Sequence, residues 1–443
     1  MEIKNQATRI NLFSWRSLPM RTFHLTWAAF FLCFFGWFGI APLMAVVRED
    51  LSLTKTEIGN TVIAAVAATI IVRMIVGPLC DRFGPRRTYT GLLLAGALPV
   101  MVIGLAQSYE TFLLARLAIG AIGASFVITQ YHTAVMFAPN VVGTAKATTA
   151  GWGNLGGGVT QIVMPLIFGA VLMLGVSESL GWRFAMVVPG AIMIAMAWAY
   201  WHFTRDCPDG DYKDLRAAGA MPAVSRENGA LHTFREAAKD PRVWALFVIY
   251  AACFGVELTI NNIAAIYFYD NFELGLATAG LIAGLFGLMN IFARTLGGFF
   301  SDKAAMRNGL AGRVRFLFLA LFAEGLALML FSQMAILGAA IVSMVIFSLF
   351  TQMAEGATFG IVPFVNRRVL GGVSGIVGAG GNAGAVAAGF LFRTEALTYA
   401  EGLLYLGVAV AAISFLAFAV RFSAESEAEE AERRALAVAA ASG

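Results

Sequence analysis

The stretch RMIVGPLCDR, residues 73–82, returns later in the chain as RTLGGFFSDK, residues 294–303. Each copy opens on an arginine inside an apolar segment and carries an aspartate two turns of helix further on, so the matched positions keep one constant spacing. A second pair of stretches, GWGNLGGGVTQ (151–161) and GAGGNAGAVAA (378–388), matches around its asparagine at nearly the same spacing. Two ordered sets with nearly equal spacings indicate that the second half of the chain repeats the first.

The composition is typical of a membrane protein. Of the 443 residues 59% are hydrophobic and 13% are charged, and the mean hydropathy is +0.76, whereas a soluble domain has about 45–50% apolar and about 25% charged residues. A helix that crosses a bilayer needs about 20 apolar residues. We therefore predict an all-α membrane protein with twelve transmembrane helices in two pseudo-symmetric six-helix halves, at residues 23–47, 58–79, 88–106, 111–137, 143–174, 183–203, 243–269, 276–300, 313–332, 335–363, 369–393 and 398–421.

The polar segments divide the chain and orient it. They predict a cytoplasmic N-terminus, an N-terminal half, a cytoplasmic linker, a C-terminal half and a cytoplasmic acidic tail, at residues 1–22, 23–203, 204–242, 243–421 and 422–443. In this orientation 24 of the 31 Lys and Arg residues lie on the cytoplasmic side and four on the outer side, in keeping with the positive-inside rule. We expect a multi-pass protein of the bacterial inner membrane, and the net charge of +4 requires no nucleic-acid partner.

The sequence gives no sign of enzyme chemistry. The four cysteines show neither a CxxC motif nor the spacing of a metal site. We find no nucleophile–base constellation and no phosphate-binding loop. The expectation is a protein that is not an enzyme and that uses no metal and no cofactor.

Two arginines, Arg73 and Arg294, lie inside predicted membrane helices at matched positions of the repeat. A charged side chain in the hydrocarbon costs at least about 2.5–3.5 kcal/mol, so such residues usually face a cavity and have a function. Two positive charges facing one cavity repel each other, and a bound anion would relieve that repulsion. The planar donor fork of arginine suits a planar oxyanion. The alternative is that an internal acid, such as Glu257 or Glu355, neutralises each arginine and only holds helices together.

The loop GPLCDRFGPRR (77–87) resembles the signature between the second and third helices of the major facilitator superfamily, whose members are built from parallel six-helix repeats. The resemblance implies a structural gate on the cytoplasmic side, formed by Gly77, Asp81, Arg82, Gly298 and Asp302.

Two further stretches, AGWGNLGGGVTQ (150–161) and GIVGAGGNAGAVAAGF (375–390), resemble the nitrate signatures of the nitrate/nitrite porter family. AEGATFGIVPFVNRR (354–368) and FGVELTINN (254–262) resemble its nitrate/proton symport branch. The resemblance implies that Arg73 and Arg294 clamp nitrate, that small and amide residues line the site, and that aromatic rings sandwich the anion. The lining residues would be Gly153, Asn154, Gly381 and Asn382, and the aromatic ones Tyr250, Phe126 and Phe359.

A proton site is expected because an anion entering against a negative-inside potential costs about 2.3 kcal/mol per charge per 100 mV. Glu257 is the first candidate, since Tyr250, Glu257 and Asn261 share one helical face at i, i+7 and i+11. Glu355, four residues before Phe359, is the second. A structural salt bridge is the alternative role for Glu257.

The predicted function is therefore nitrate import by proton symport, through alternating access around the arginine pair. The expected partners are nitrate, protons and the lipid bilayer, the sequence leaves open whether nitrite is also carried, and the expected state is a monomer. Three rivals stay open: nitrate/nitrite exchange, transport of another small anion such as nitrite or formate, and a membrane sensor that binds nitrate without moving it.

Overall fold

The computed structural model describes residues 5–138, 141–220, 230–366, 369–423 and 427–428, and it is helical throughout its spanning segments. Most of the predicted acidic tail, 422–443, therefore lies outside the described residues, as do 221–229 of the predicted linker and the last two residues of the 354–368 motif. Within the described part, eleven helical stretches are long and apolar enough to cross a membrane.

One of the eleven, Leu276–Ser332, contains two crossings. Its helix breaks at Asn308 and Gly309, whose backbone angles are not helical, with Gly309 at a φ of +63°. Glycine adopts this left-handed conformation without the steric penalty of a Cβ. The break separates the eighth span from the ninth, and the predicted twelve-helix fold is confirmed.

The α-helices run in chain order as follows. The first group is α1 (Leu18–Trp37), α2 (Met44–Asp50), α3 (Lys55–Phe83), α4 (Pro85–Val102), α5 (Tyr109–Ile119), α6 (Ser125–Met136), α7 (Val142–Leu172), α8 (Glu178–Ala185) and α9 (Val187–Phe203). Next come α10 (Tyr212–Ala217) and α11 (Ala230–Ala238). The last group is α12 (Pro241–Phe272), α13 (Leu276–Leu288), α14 (Ala293–Ser332), α15 (Leu337–Val365), α16 (Leu370–Arg393) and α17 (Tyr399–Ser414).

Several of these helices begin with a side-chain cap. Thr54 and Thr398 form capping boxes with the glutamate three residues later, at the starts of α3 and α17. Ser108 and Ser177 cap α5 and α8. An N-cap hydroxyl accepts a hydrogen bond from a backbone N–H that would otherwise have no partner, and is worth about 1 kcal/mol. These caps set where the spans start on the predicted outer side.

The chain forms two compact units, and the first comprises 1–227, 259–291 and 389–397. It contains the N-terminal half together with the end of α12, all of α13 and the end of α16. Arg116 of α5 donates to Asn262 (2.8 Å), Gln161 of α7 donates to the carbonyl of Asn261 (2.6 Å), and Arg48 makes two bonds with Asp270 (2.7 and 2.9 Å). Polar contacts thus hold together the helix ends that the topology predicts to face outside.

The first unit also includes the start of the predicted linker, which packs against the turn between α3 and α4. The buried carboxylate of Asp206 accepts hydrogen bonds from the backbone N–H groups of Arg86 (3.0 Å) and Tyr212 (2.9 Å). A Cβ at Gly84 would lie 2.2 Å from that carboxylate, and Gly84 has a φ of +89°. Burial raises the pKa of Asp206 to about 6, although the two N–H groups lower it.

The second unit comprises 228–258, 292–388 and 398–443. Its helices approach closely where one of them carries glycine. A Cβ at Gly297 of α14 would lie 2.2 Å from the carbonyl oxygen of Met353 in α15, and a Cβ at Gly325 would lie 2.6 Å from the backbone nitrogen of Ala411 in α17. Glycine therefore lets α14 pack directly on two neighbouring backbones, as is common between membrane helices.

The raised pKa of Asp206 predicts a pH dependence of stability. The unfolded-state pKa of an aspartate is about 3.9, so the folded state binds this proton more tightly. The resulting stabilisation is fully present below pH of about 4 and is lost as the pH rises to about 6. In Asp206→Asn this contribution is absent, so the difference in melting temperature, variant minus parent, should become more positive between pH 4 and pH 7.

The measurement is thermal unfolding of the purified protein in detergent across that pH range. Asp214→Asn, at an exposed position of the same segment, is the matched control and should show a constant difference. A constant difference for Asp206→Asn as well would contradict the assignment.

Candidate functional site

Arg294 lies at the start of α14 and is the centre of a buried polar cluster in the second unit. It forms an ion pair with Glu355 of α15, and its guanidinium donates to the hydroxyl of Tyr250 in α12 (3.3 Å). The guanidinium lies 5.7 Å from the ring centroid of Phe254. Tyr250 stacks on Phe254 at 5.2 Å and meets the edge of Phe359 at 5.0 Å. One cation is therefore held by one carboxylate and lies beside aromatic rings.

Glycine brings the arginine and the acid together. A Cβ at Gly356, the residue after Glu355, would lie 2.1 Å from the carbonyl oxygen of Arg294. Together with Gly297, this residue lets the backbones of α14 and α15 touch at the level of the ion pair. Because the two backbones lie this close together, the Glu355 side chain can reach the guanidinium of Arg294.

Arg73 of α3 has different surroundings in the first unit. Its guanidinium donates to the carbonyl of Gly123 (3.4 Å) and lies 5.5 Å from the ring centroid of Phe126. A Cβ at Gly123 would lie 2.6 Å from the hydroxyl of Thr69, so glycine again allows the helix turn to approach the helix that carries the arginine. Arg73 is thus positioned beside a ring and a backbone dipole.

The two arginine clusters correspond by sequence, with one difference. Phe126 and Phe359 occupy matched positions of the repeat, and the same spacing relates Gly123 to Gly356. It also relates Ile122 to Glu355. The acid is therefore present only in the second half of the repeat. The sequence left open whether an internal acid neutralises each arginine. For Arg294 the structure shows such an acid, Glu355.

Asn154 of α7 and Asn382 of α16 are both buried, with 1% and 0% of their surfaces exposed. In the described part of the chain, neither the amide nitrogen nor the amide oxygen of either residue has a hydrogen-bond partner. A buried amide left in this state costs about 1–3 kcal/mol. Both halves of the repeat therefore carry, at matched positions, a buried amide without a described hydrogen-bond partner.

The glycines beside these asparagines make room for aromatic rings. A Cβ at Gly153 would lie 1.8 Å from the ring of Phe30, and a Cβ at Gly381 would lie 2.3 Å from the ring of Phe254. Phe30 in turn contacts Phe126 (5.8 Å between centroids). The sequence analysis did not single out Phe30 or Phe254. Their spacing along the chain, close to that of the other repeat pairs, is the signal that identifies them.

Glu257 of α12 is fully buried, and its carboxyl is hydrogen-bonded to that of Glu355. A hydrogen bond between two carboxyl groups requires a proton on one of them. Glu355 therefore contacts both the guanidinium of Arg294 and the carboxyl group of Glu257. The two predicted proton-site residues therefore lie together, one of them on the arginine.

The predicted gate residues lie apart from the arginine clusters. Asp81 accepts a hydrogen bond from the hydroxyl of Tyr131 (3.0 Å), and Asp302 pairs with Arg313 (2.6 Å). The exposed guanidinium of Arg82 lies over the ring of Phe83. A Cβ at either Gly77 or Gly298 would meet no atom within 4 Å.

Comparison with known proteins identifies relatives over nearly the whole chain. A family model described as Major Facilitator Superfamily matches residues 26–389. The chain is 41% identical over 409 residues to the "High affinity nitrate transporter 2.5" of Arabidopsis thaliana, a match that covers 92% of this chain and 81% of that protein. It is 31% identical over 466 residues to the "Nitrate/nitrite transporter NrtP" of a Picosynechococcus strain, covering 86% of each. The family resemblance inferred from the motifs is thereby confirmed.

Among solved structures, a bacterial homologue of the human lysosomal transporter Spinster has a similar fold. The TM-score is 0.72 at 17% sequence identity, and the match covers 92% of this chain and 99% of that one. At this level of identity the likeness extends to the fold alone.

The packing of α14 on α15 predicts that Gly356→Ala will greatly reduce transport. The added methyl group would lie 2.1 Å from the Arg294 carbonyl and force the two helices apart, which separates the guanidinium from Glu355. Uptake of labelled nitrate into proteoliposomes should fall at least about tenfold. Gly338→Ala, where the same helix has open space, is the control and should transport normally. Parental uptake by Gly356→Ala would show that this close approach is dispensable.

Proposed function

Because the chain belongs to the major facilitator superfamily, and within it to the nitrate/nitrite porter family, we propose that it is a secondary transporter that imports nitrate together with protons. The family model covers residues 26–389, and the relatives named above are nitrate transporters or nitrate/nitrite transporters by name. We further propose that Arg73 and Arg294 bind the anion and that the two halves of the repeat alternate its access to the two sides of the membrane.

The main support for nitrate as the substrate is that both units combine an arginine, an aromatic ring and a buried amide without a described hydrogen-bond partner. Nitrate is flat and carries one negative charge over three oxygen atoms. Guanidinium groups offer parallel N–H donors to such an ion. The amides of Asn154 and Asn382 offer further donors in a low-dielectric setting, where a hydrogen bond to a charged group is worth about 1.5–3 kcal/mol. Tyr250, Phe126 and Phe359 would contact its faces.

The ion pair between Arg294 and Glu355 supplies a means of coupling nitrate to protons. Nitrate and the Glu355 carboxylate are both anions that bind the same guanidinium, so they compete for it. When Glu355 takes up a proton it loses its charge, and Arg294 becomes available to nitrate. Nitrate therefore binds best when Glu355 is protonated, and each ion promotes the binding of the other.

Exchange of nitrate for nitrite is the closest competing function. An exchanger needs no carboxyl group that responds to substrate, because the outgoing anion replaces the incoming one on the arginines. The Glu355 carboxylate on Arg294 and its hydrogen-bonded partner Glu257 favour symport instead.

The test uses liposomes that contain the purified protein and a pH-sensitive dye, with the membrane potential held at zero. Nitrate added outside should acidify the lumen, and chloride should not. In Glu355→Gln the acidification should fall to the chloride level while exchange of labelled for unlabelled nitrate continues. Glu49→Gln, an exposed glutamate of α2, is the matched control. Uptake that occurs only when nitrite is trapped inside, without acidification, would establish exchange and refute symport.

The proposed role of Arg73 depends on the shape of its guanidinium. Arg73→Lys keeps the positive charge but removes the donor fork, so the half-saturating nitrate concentration should rise at least about tenfold, the equivalent of roughly 1.4 kcal/mol. The measurement is the concentration dependence of labelled nitrate uptake, with Arg87→Lys at an exposed position as the control. Parental affinity in Arg73→Lys would exclude the clamp.

A further inference from the structure

We propose that Glu324, a third buried carboxyl group in the second unit, supplies protons to the Glu257–Glu355 pair. This inference rests on the proposed proton symport. It assigns a function to a residue of α14 that neither the repeat nor the substrate-binding residues explain. The proton route would then lie within α12, α14 and α15.

The surroundings of Glu324 indicate that it carries a proton. Its side chain is fully buried, and neither carboxyl oxygen has a well-formed hydrogen bond with any described residue. The polar group beside it is the hydroxyl of Thr351, which already donates its hydrogen to the carbonyl of Phe347 (3.0 Å). The hydrogen of the Thr351 hydroxyl is therefore already used by the carbonyl of Phe347. A buried carboxyl with such a neighbour is favoured in its neutral, protonated form.

Glu324 is connected to the arginine cluster through Glu257. The Glu324 and Glu257 carboxyls interact electrostatically, Glu257 is hydrogen-bonded to Glu355, and Glu355 is paired with Arg294. The other titratable groups that face this chain of carboxyls are Cys253 and Tyr250, both from α12. Three carboxyls thus lead to one guanidinium, which can balance the charge of only one of them.

The proton transfers follow from this order. When nitrate occupies Arg294, the Glu355 carboxylate loses its counter-charge and accepts the proton of Glu257 along their existing hydrogen bond. The O–H bond of Glu257 breaks as that of Glu355 forms. Glu257, now ionised, takes the proton of Glu324, and Glu324 takes one from water on the side from which protons enter. One proton moves at each step, and the net change is one proton gained by the cluster for one nitrate bound.

Packing alone does not account for a carboxyl at this position. The ninth span already packs on α17 through Gly325, the next residue. Glu324 adds neither an ion pair nor a well-formed hydrogen bond in the described part of the chain. An apolar side chain of similar volume would fill the same space without the cost of burying a carboxyl. A buried carboxyl group that is costly and has neither an ion pair nor a well-formed hydrogen bond in the described structure is expected to act through its proton.

The experiment uses the same liposomes and compares Glu324→Gln with the parent. Glutamine keeps the shape and cannot pass a proton, so nitrate-driven acidification should fall at least about tenfold, while nitrate/nitrate exchange should stay within about twofold. Glu324→Asp, which keeps the carboxyl, should recover part of the acidification and shift its pH profile. Ser332→Ala removes a buried hydroxyl bonded to Met329 on the same helix, and should leave both activities unchanged.

Each other result counts against the relay. If the parent protein acidifies the lumen and Glu324→Gln acidifies it equally well, the role of Glu324 is refuted and proton symport stands. Equal loss of exchange and acidification, with a lower melting temperature and no recovery in Glu324→Asp, would show a structural role. A parent that exchanges nitrate but never acidifies the lumen would refute symport itself, and the relay with it.

Discussion

The ion pair between Arg294 and Glu355 is the interaction on which the second unit depends. Burying a charge in a membrane protein is costly unless a partner compensates it, and breaking a buried pair costs about 3–5 kcal/mol. The pair forms only because α14 and α15 touch through Gly297 and Gly356. Helix contact, charge compensation and the position of the aromatic rings are therefore parts of one arrangement, and on the proposed function an anion that binds Arg294 competes with Glu355 for its charge.

The repeat is symmetric in the residues proposed to bind the anion and asymmetric in the acid. Both halves carry an arginine and a buried asparagine without a described partner at matched positions, and each arginine lies beside a phenylalanine, although these two phenylalanines, Phe126 and Phe254, are not a matched pair. Only the second half carries Glu355, where the first has Ile122 at the matched position. On the proposed function, substrate recognition belongs to both halves and proton coupling to one.

The sequence predicted the features that repeat and missed those that depend on contact between helices. Matched spacings singled out both arginines and both asparagines, because each of these side chains is of a chemical type that is rare in lipid, and their role in binding stays a prediction. Phe30 was not distinguished, since its helix carries many aromatics, and its spacing from Phe254 singles it out only once Gly153 and Gly381 are seen to pack on these two rings. Asp206 lies in the polar stretch that the sequence analysis interpreted as an ordinary linker. Its burial depends on the space left by Gly84, which no periodic pattern encodes.

The charge of the buried cluster limits how transport can work. Replacing the Glu355 carboxylate by nitrate on Arg294, with Glu355 protonated, leaves the net charge of the cluster unchanged. A cycle built on this step alone moves one proton with each nitrate and gains nothing from the membrane potential. Driving nitrate inward with that potential requires a second proton, and a second proton requires another carboxyl that changes its charge. Glu257 and Glu324 adjoin Glu355 in the described structure, and on the proposed symport one of them would have to release a proton, as well as pass one on, to move a second proton in each cycle.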